Sequence, residues 1–117
     1  MNFVDGSHRL GYLGEFKISD ESEVFFENMI ASRHLTVSTH GALAAGDTTW
    51  HVGWTLHNAP ANPTPNMRSV MTVIYVADGA RVGPADTPAR RDDLGWWLPG
   101  LSEGDLVSSA LNPVVYP

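Results

Sequence analysis

The sequence has no cysteine, a single lysine and no long apolar run. The lack of cysteine excludes a disulfide scaffold, a cysteine-type zinc site and thiol catalysis. Seven basic residues, scattered along the chain against thirteen acidic ones, form no basic stripe, so we expect no nucleic-acid binding. The longest apolar stretch, Val70 to Ala77, is interrupted by Thr72 and is far shorter than a membrane span. Asp5 stands where a signal peptide needs an apolar run, and a cytoplasmic location is expected.

The chain is long enough for one modest hydrophobic core. Its 117 residues are 43% hydrophobic and 17% charged, which is typical of a globular domain. We therefore expect one domain over residues 1–117. Without thiols, any chemistry must come from histidine, carboxylates, hydroxyls or a cofactor.

Local patterns predict one helix and several strands. Ser19 or Asp20 can cap a helix, and Glu23 lies three residues after Asp20 as in a capping box. The apolar residues Val24, Phe25 and Met29 follow on one helical face. This predicts a helix near residues 20–32. From Leu35 onward the apolar period is two, which predicts strands near 35–39, 48–57 and 68–77.

The sequence after Asp78 contains several Pro and Gly breakers and predicts an irregular tail that packs by its aromatic residues. In this tail we expect the cluster Arg90 to Asp93 to be solvated, and Trp96 and Trp97 to cover the core. Several short strands with one inserted helix predict an all-β sandwich or jelly roll.

The five histidines do not form a metal-binding motif in the sequence, because no His-x-His, His-x-Asp or His-x-Glu occurs. His51 and His57 share one face of the predicted strand 48–57. Six residues of straight strand separate them by roughly 20 Å. They cannot bind the same metal unless the strand bends sharply at Gly53.

Four segments together resemble one protein family. The motif Gly-Asp-Thr-Thr-Trp-His-Val-Gly-Trp-Thr-Leu-His-Asn-Ala-Pro-Ala-Asn covers residues 46–62, and Arg68 follows eleven residues after His57. With the opening Phe-Val-Asp-Gly-Ser-His-Arg and the tail segments 97–105 and 111–116, it resembles the C-terminal part of phytanoyl-CoA dioxygenase-like proteins. The resemblance implies a mainly β fold, a partial double-stranded β-helix of jelly-roll or cupin-like type with one short inserted helix.

The resemblance also implies a site. Members of the family are oxygenases that depend on Fe(II) and 2-oxoglutarate, with iron on a His-x-Asp pair and a distal histidine. By position, His57 corresponds to the distal iron ligand and Arg68 to the arginine that binds the far carboxylate of 2-oxoglutarate. Thr55 shares the face of His57 and is expected near the same cofactor. The sequence contains no His-x-Asp, so this chain alone is expected to bind iron weakly and to be inactive.

The remaining polar candidates are interpreted as structural. His8 and Arg9 are expected to form hydrogen bonds in the Gly-Ser-His-Arg turn, and Asp5 to cap its own turn. His34 is expected at the helix exit and His40 at the surface.

Three hypotheses remain open. The chain is the C-terminal part of an oxygenase from a shortened gene or a misassigned start, or it is a split enzyme whose His-x-Asp comes from another polypeptide. The third is a non-catalytic, homo-oligomeric β-domain that binds a small carboxylate at Arg68 or a protein partner. Because missing strands would uncover apolar faces and strand edges, a homodimer is expected.

Overall fold

The computed structural model describes residues 1–116, which form two compact units. The first unit spans Met1–Arg68 and the second begins at Ser69. The first unit contains five elements, which are β1 (Asn2–Val4), a 3-10 helix (Ser7–Leu10), α1 (Asp20–Ser32), β2 (Val37–Thr39) and β3 (His57–Asn58). The second unit contains α2 (Pro88–Trp97).

The sheet of the first unit has three antiparallel strands in the order β2, β1, β3. Strand β1 is central, with Phe3 opposite Ser38 on β2 and opposite His57 on β3. A side-chain bond between Asn2 Nδ2 and Asn58 Oδ1 (3.1 Å) reinforces the β1–β3 pair. The sheet therefore joins the first residues of the chain to residues 57–58.

Helix α1 confirms the helix predicted near residues 20–32. It begins after Ser19, whose side chain accepts a hydrogen bond from the backbone N–H of Ser22, while the Ser22 hydroxyl oxygen accepts one from the N–H of Ser19. This reciprocal arrangement satisfies two backbone donors at the helix start. Ser19 is one of the two N-cap residues that the sequence allowed, but the capping box pairs it with Ser22, whereas the sequence pattern paired Asp20 with Glu23.

The buried part of the first unit is small and centres on β1. Phe3 and Val4 are its buried apolar side chains, and Ser7 is 1% exposed. The backbone N–H of Val4 donates to the carbonyl of Leu56 (2.9 Å), and the N–H of Leu56 donates to Ser7 Oγ (2.8 Å). Leu56 is therefore held through both of its backbone groups by residues just after the start of the chain.

The predicted irregular tail is wrong over residues 88–97, because these form α2. Thr87 caps this helix by accepting a hydrogen bond from the N–H of Arg90 (3.3 Å), and Pro88 occupies the first helical position. Proline fits there because an N–H at the first helical position has no acceptor within the helix, so its absence costs no hydrogen bond. Trp96 and Trp97 are exposed and do not cover a core, whereas the Arg90–Asp93 cluster is largely solvated.

The expected mainly β fold is wrong. A double-stranded β-helix needs two facing sheets, but residues 1–116 form one open three-stranded sheet, with two α-helices. Of the predicted strands, 35–39 is represented by β2, while 48–57 contributes only His57 to β3. Residues 68–77 form no strand because no segment within residues 1–116 pairs with them. No helix within the described part of the chain has the length and apolar character needed to cross a membrane.

Candidate functional site

A tight turn replaces the middle of the predicted strand 48–57. The N–H of Thr55 donates to the carbonyl of Val52 (2.9 Å), and Gly53 and Trp54 occupy the turn. The chain therefore reverses between His51 and His57. Their ring centroids lie 4.4 Å apart, with the ring planes inclined by 54°. The sequence indicated that His51 and His57 can approach each other only if the chain bends at Gly53, and this bend is present.

The ring of Phe3 forms a surface against which three imidazoles lie. Its centroid is 5.3 Å from that of His51, 5.9 Å from that of His40 and 6.2 Å from that of His57. Phe3 and His57 are also cross-strand partners, which places both side chains on the same face of the sheet. His40 is exposed, as predicted from the sequence, but its contact with Phe3 was not predicted. Nothing local in the sequence links His40 to Phe3, which is thirty-seven residues away.

The backbone of Thr55 fixes the His57 ring. The carbonyl of Thr55 lies 2.8 Å from His57 Nδ1, and a carbonyl only accepts, so Nδ1 carries the proton that it donates. In the neutral ring this leaves Nε2 with its lone pair. A histidine that donates one ring N–H to a backbone carbonyl and presents the other nitrogen bare has the arrangement of a metal ligand.

His51 is the titratable group whose environment differs most clearly from water. Partial burial lowers the pKa of His51 below 6.5, and the neighbouring His57 lowers it further when that ring is charged. A positive charge on the neighbouring ring repels a proton on His51, which is why this second effect acts in the same direction as burial. The His51 imidazole is therefore neutral at pH 7 and keeps a lone pair.

A groove of about 1210 Å³ runs between α1 and the sheet of the first unit. Val4, Leu56, Phe26 and Ile30 contribute apolar lining, and His57 lines it as well. A hydrogen bond from Asn58 Nδ2 to Glu23 Oε1 (3.1 Å) links β3 to α1. His57 contributes to the edge of this groove, whereas its ring lies on the other face of the sheet, against Phe3.

Arg68 and Thr55 are not gathered around His57 as the resemblance implies. Arg68 is exposed and donates from Nη1 to the carbonyl of Pro60 (3.2 Å), and it does not line the groove. Thr55 is half-buried, and its backbone carbonyl, not its hydroxyl, contacts His57.

The remaining polar candidates have mainly structural positions. His8 and Arg9 lie exposed on the 3-10 helix, where their backbones close the turn that contains buried Ser7. Asp5 does not cap its own turn, because Oδ2 instead accepts a hydrogen bond from the Ser38 hydroxyl on β2 (2.7 Å). His34 follows α1 in a left-handed conformation (φ 53°), at the helix exit as expected.

The donors present do not fit a complete iron centre. An iron site of the expected kind needs two imidazoles and a carboxylate. Within residues 1–116, no group of three or more histidine and acidic side chains converges closely enough to hold a metal ion. What the first unit offers is one oriented imidazole, His57, with a second, His51, beside it.

No protein-family model matches the chain, and neither curated proteins nor solved structures include a significant match to it.

Proposed function

We propose that this chain is a polypeptide of the phytanoyl-CoA dioxygenase-like family, that it contributes His57 as one iron ligand, and that it is catalytically inactive by itself. Fe(II) and 2-oxoglutarate are the cofactors of this proposal. The His-x-Asp ligands must come from sequence outside these 117 residues, because none occurs within them. A cytoplasmic location is part of the same proposal.

The observation that carries the proposal is the bond between His57 Nδ1 and the carbonyl of Thr55 (2.8 Å). It selects the tautomer in which Nε2 is free to bind a metal, and it holds the ring in one orientation. The exposure of His57 supports this role, because a ligand needs an accessible side chain. The sequence resemblance around residues 46–62 supports it independently.

Arg68 is proposed as the group that binds a small carboxylate, the far end of 2-oxoglutarate. A guanidinium has five N–H donors in a planar fork that matches a carboxylate. Arg68 is exposed, and its bond to the Pro60 carbonyl uses one N–H of Nη1. The remaining donors are sufficient for a bidentate contact.

A titration of the purified chain with Fe(II) under anaerobic conditions, followed through the histidine ring protons by NMR, tests the role of His57. We expect paramagnetic broadening at His57 that does not saturate at millimolar iron, and no succinate release from 2-oxoglutarate above a no-enzyme control. His57→Ala should abolish the broadening of the remaining signals near the site, whereas His8→Ala, at another exposed histidine, should leave it unchanged. Tight binding or turnover by this chain alone would contradict its proposed inactivity. Unperturbed His57 signals would contradict its role as a ligand.

The genomic sequence upstream of the Met1 codon shows whether the missing iron ligands are encoded by the same gene or by another one. An in-frame His-x-Asp is expected if the ligands belong to the same gene. If none is present, the ligands must come from another polypeptide, which a pull-down with the His57-containing chain as bait would identify by its own His-x-Asp. Failure of both searches would overturn the assignment to this family.

A second proposal is that the chain is a non-catalytic homodimer. Many large apolar side chains are more than half exposed, including Trp50, Met67, Met71 and Ile74. Apolar surface on this scale favours association. Light scattering behind a sizing column should give twice the chain mass of 12.7 kDa. A monomer at micromolar concentration would exclude the homodimer.

A further inference from the structure

The residues from Ser69 to Ala77, here called the 69–77 segment, are all exposed. Six of them have large apolar side chains, and the exposed fraction reaches 88% at Met71 and 82% at Ile74. The six are Val70, Met71, Val73, Ile74, Tyr75 and Val76. No comparable run of adjacent apolar residues lies exposed elsewhere within residues 1–116. These side chains form a continuous exposed apolar surface, which favours association.

The backbone of residues 69–74 is also available for pairing. Within the described part of the chain, residues 69–74 form no backbone hydrogen bond with any other residue. In an extended segment, Val70, Ile74 and Val76 occupy one face while Met71, Val73 and Tyr75 occupy the other. Strands that are apolar on both faces are typical of the interior of a sheet. The segment has the sequence of an interior strand but no neighbouring strand.

Opposite charges flank the segment. Arg68 precedes it and Asp78 follows it, and the nine residues between them carry no charge. The two charges are equidistant from Val73. Asp78 begins the turn that the N–H of Ala80 closes on the carbonyl of Ala77 (3.1 Å). Two antiparallel copies centred on Val73 therefore bring Arg68 of each copy to the end of the pairing where Asp78 of the other copy stands.

We propose that the 69–77 segment pairs with the same segment of a second copy, antiparallel, about a twofold axis at Val73. The inference rests on the proposed homodimer and specifies its interface and register. In this register Val70 lies opposite Val76, and Met71 lies opposite Tyr75. Both are apolar cross-strand pairs of the kind that stabilises sheets.

Charge complementarity selects this register over its alternatives. A parallel pairing in register places Arg68 beside Arg68 and Asp78 beside Asp78, which is unfavourable. A shift of the antiparallel pairing by two residues places Arg68 opposite Val76 and leaves both charges without a partner. Only the register centred on Val73 gives two opposite-charge pairs with apolar pairs between them.

The apolar area reaches that of a specific contact when the side chains on both faces are covered completely. Complete burial of a side chain the size of valine or isoleucine removes roughly 100 Å² of apolar surface from water. Six such side chains in each of two copies give an upper limit of roughly 1,200 Å², which is where specific interfaces begin. Isolated strand pairs are marginal in water, so the side chains of both faces must also be covered as the copies meet.

Cysteine cross-linking tests the register directly, because the chain has no cysteine of its own. Val73→Cys places a thiol opposite its own copy, at the Cα separation that a disulfide requires. Val76→Cys is a matched control, since Val73 and Val76 are 54% and 57% exposed. In the proposed register the two copies of residue 76 lie roughly 20 Å apart and cannot be bridged. The double variant Val70→Cys/Val76→Cys restores a bridgeable pair.

After mild oxidation, we expect Val73→Cys to run as a covalent dimer on a denaturing, non-reducing gel. Val76→Cys should run as a monomer on the same gel, and the double variant should again run as a covalent dimer. A chain that is dimeric by light scattering but does not cross-link through residue 73 would overturn this inference and leave the homodimer intact. A monomeric chain would overturn both. Equal cross-linking of the two single variants would indicate random collision and would also overturn the register. The proposed role of His57 is independent of every one of these outcomes.

A charge reversal supplies a second test. Asp78→Arg places like charges opposite each other at both ends of the interface and should weaken dimerisation on the order of tenfold. Asp92→Arg makes the same change in net charge on exposed α2 and should not weaken it. The double variant Arg68→Asp/Asp78→Arg should restore dimerisation. If Asp78→Arg and Asp92→Arg behave alike in analytical ultracentrifugation, the charge pairs do not form and the register is wrong.

Discussion

The imidazole rings of His51 and His57 lie with their centroids 4.4 Å apart, six positions along a chain that reverses between them. The turn closed by Val52 and Thr55 produces this proximity, and the ring of Phe3 lies against both imidazoles. The carbonyl of Thr55 then orients His57. A backbone turn brings these two side chains together.

Folding stability should decrease in mild acid because of His51. Partial burial and then His57 hold the pKa of His51 below 6.5, the value expected of an unfolded chain. The unfolded state therefore binds a proton at higher pH than the folded state does. The resulting penalty is absent well above pH 6.5, grows as the pH falls through 6.5, and is complete below the lowered folded pKa.

Thermal unfolding of His51→Gln and of the unchanged chain, measured between about pH 8 and pH 5, checks this sign. The midpoint of the unchanged chain should fall more steeply toward acid than that of His51→Gln. His8→Gln, which removes an exposed histidine on the 3-10 helix, should follow the unchanged chain. Parallel curves for all three would mean that His51 titrates normally.

Ser7→Ala should destabilise the first unit. Ser7 is 1% exposed, and its Oγ accepts the N–H of Leu56 at 2.8 Å. Removing that oxygen leaves a part-buried donor without a partner, which costs about 1–3 kcal/mol. Urea unfolding followed by circular dichroism measures the loss. Ser108→Ala, at an exposed serine, should change the free energy of unfolding by no more than about 0.5 kcal/mol.

Phe3→Leu should change the NMR signals of the histidine cluster while keeping an apolar side chain in place. The Phe3 ring lies 5.3 Å from the His51 ring and 6.2 Å from the His57 ring, centroid to centroid. Loss of the aromatic ring removes its ring-current effect on the protons of both imidazoles. Phe16→Leu is the control, because Phe16 contacts Phe25 and Phe26. If both variants leave the histidine signals unshifted, the cluster does not form in solution.

Ser19→Ala should weaken α1 at its start. The Ser19 hydroxyl accepts the N–H of Ser22 at 3.2 Å, and loss of such a cap costs about 1 kcal/mol. The expected result is a lower thermal midpoint and reduced far-ultraviolet helical signal. Ser32→Ala, at the opposite end of the helix, removes only a hydroxyl that donates to the Met29 carbonyl and should retain the signal. Equal losses from the two variants would show that the cap at Ser19 has no special role.

Elements with local signals could be predicted from the sequence, and elements that depend on distant partners could not. The apolar period and polar start of α1 lie within the helix itself, so its position was predicted correctly. Helix α2 had an equally local signal, a Thr-Pro pair at its start, but Pro88 was interpreted as a breaker and not as a first helical residue. Residues 68–77 have a strong strand pattern, yet a strand also requires a neighbour.

In the candidate site, too, features with a local sequence signal could be predicted, whereas contacts between distant residues could not. His57 was selected from its sequence context, and a bend at Gly53 was identified as the condition for bringing His51 close; the bend is present. The position of His40 against Phe3 depends on the pairing of β1 with β2, which no local pattern specifies. Asp5 was misinterpreted for the same reason, since its partner Ser38 is thirty-three residues away.

The double attachment of Leu56 to Val4 and Ser7 also determines when the site can form. The pairing of β1 with β3 joins residues separated by 56 positions, so a loop of nearly half the chain must close before it is stable. Closure of such long loops is slow compared with the formation of a helix. We expect α1 to form early in folding and the His51–His57 pair late, so that only chains that have completed folding present these two imidazoles together.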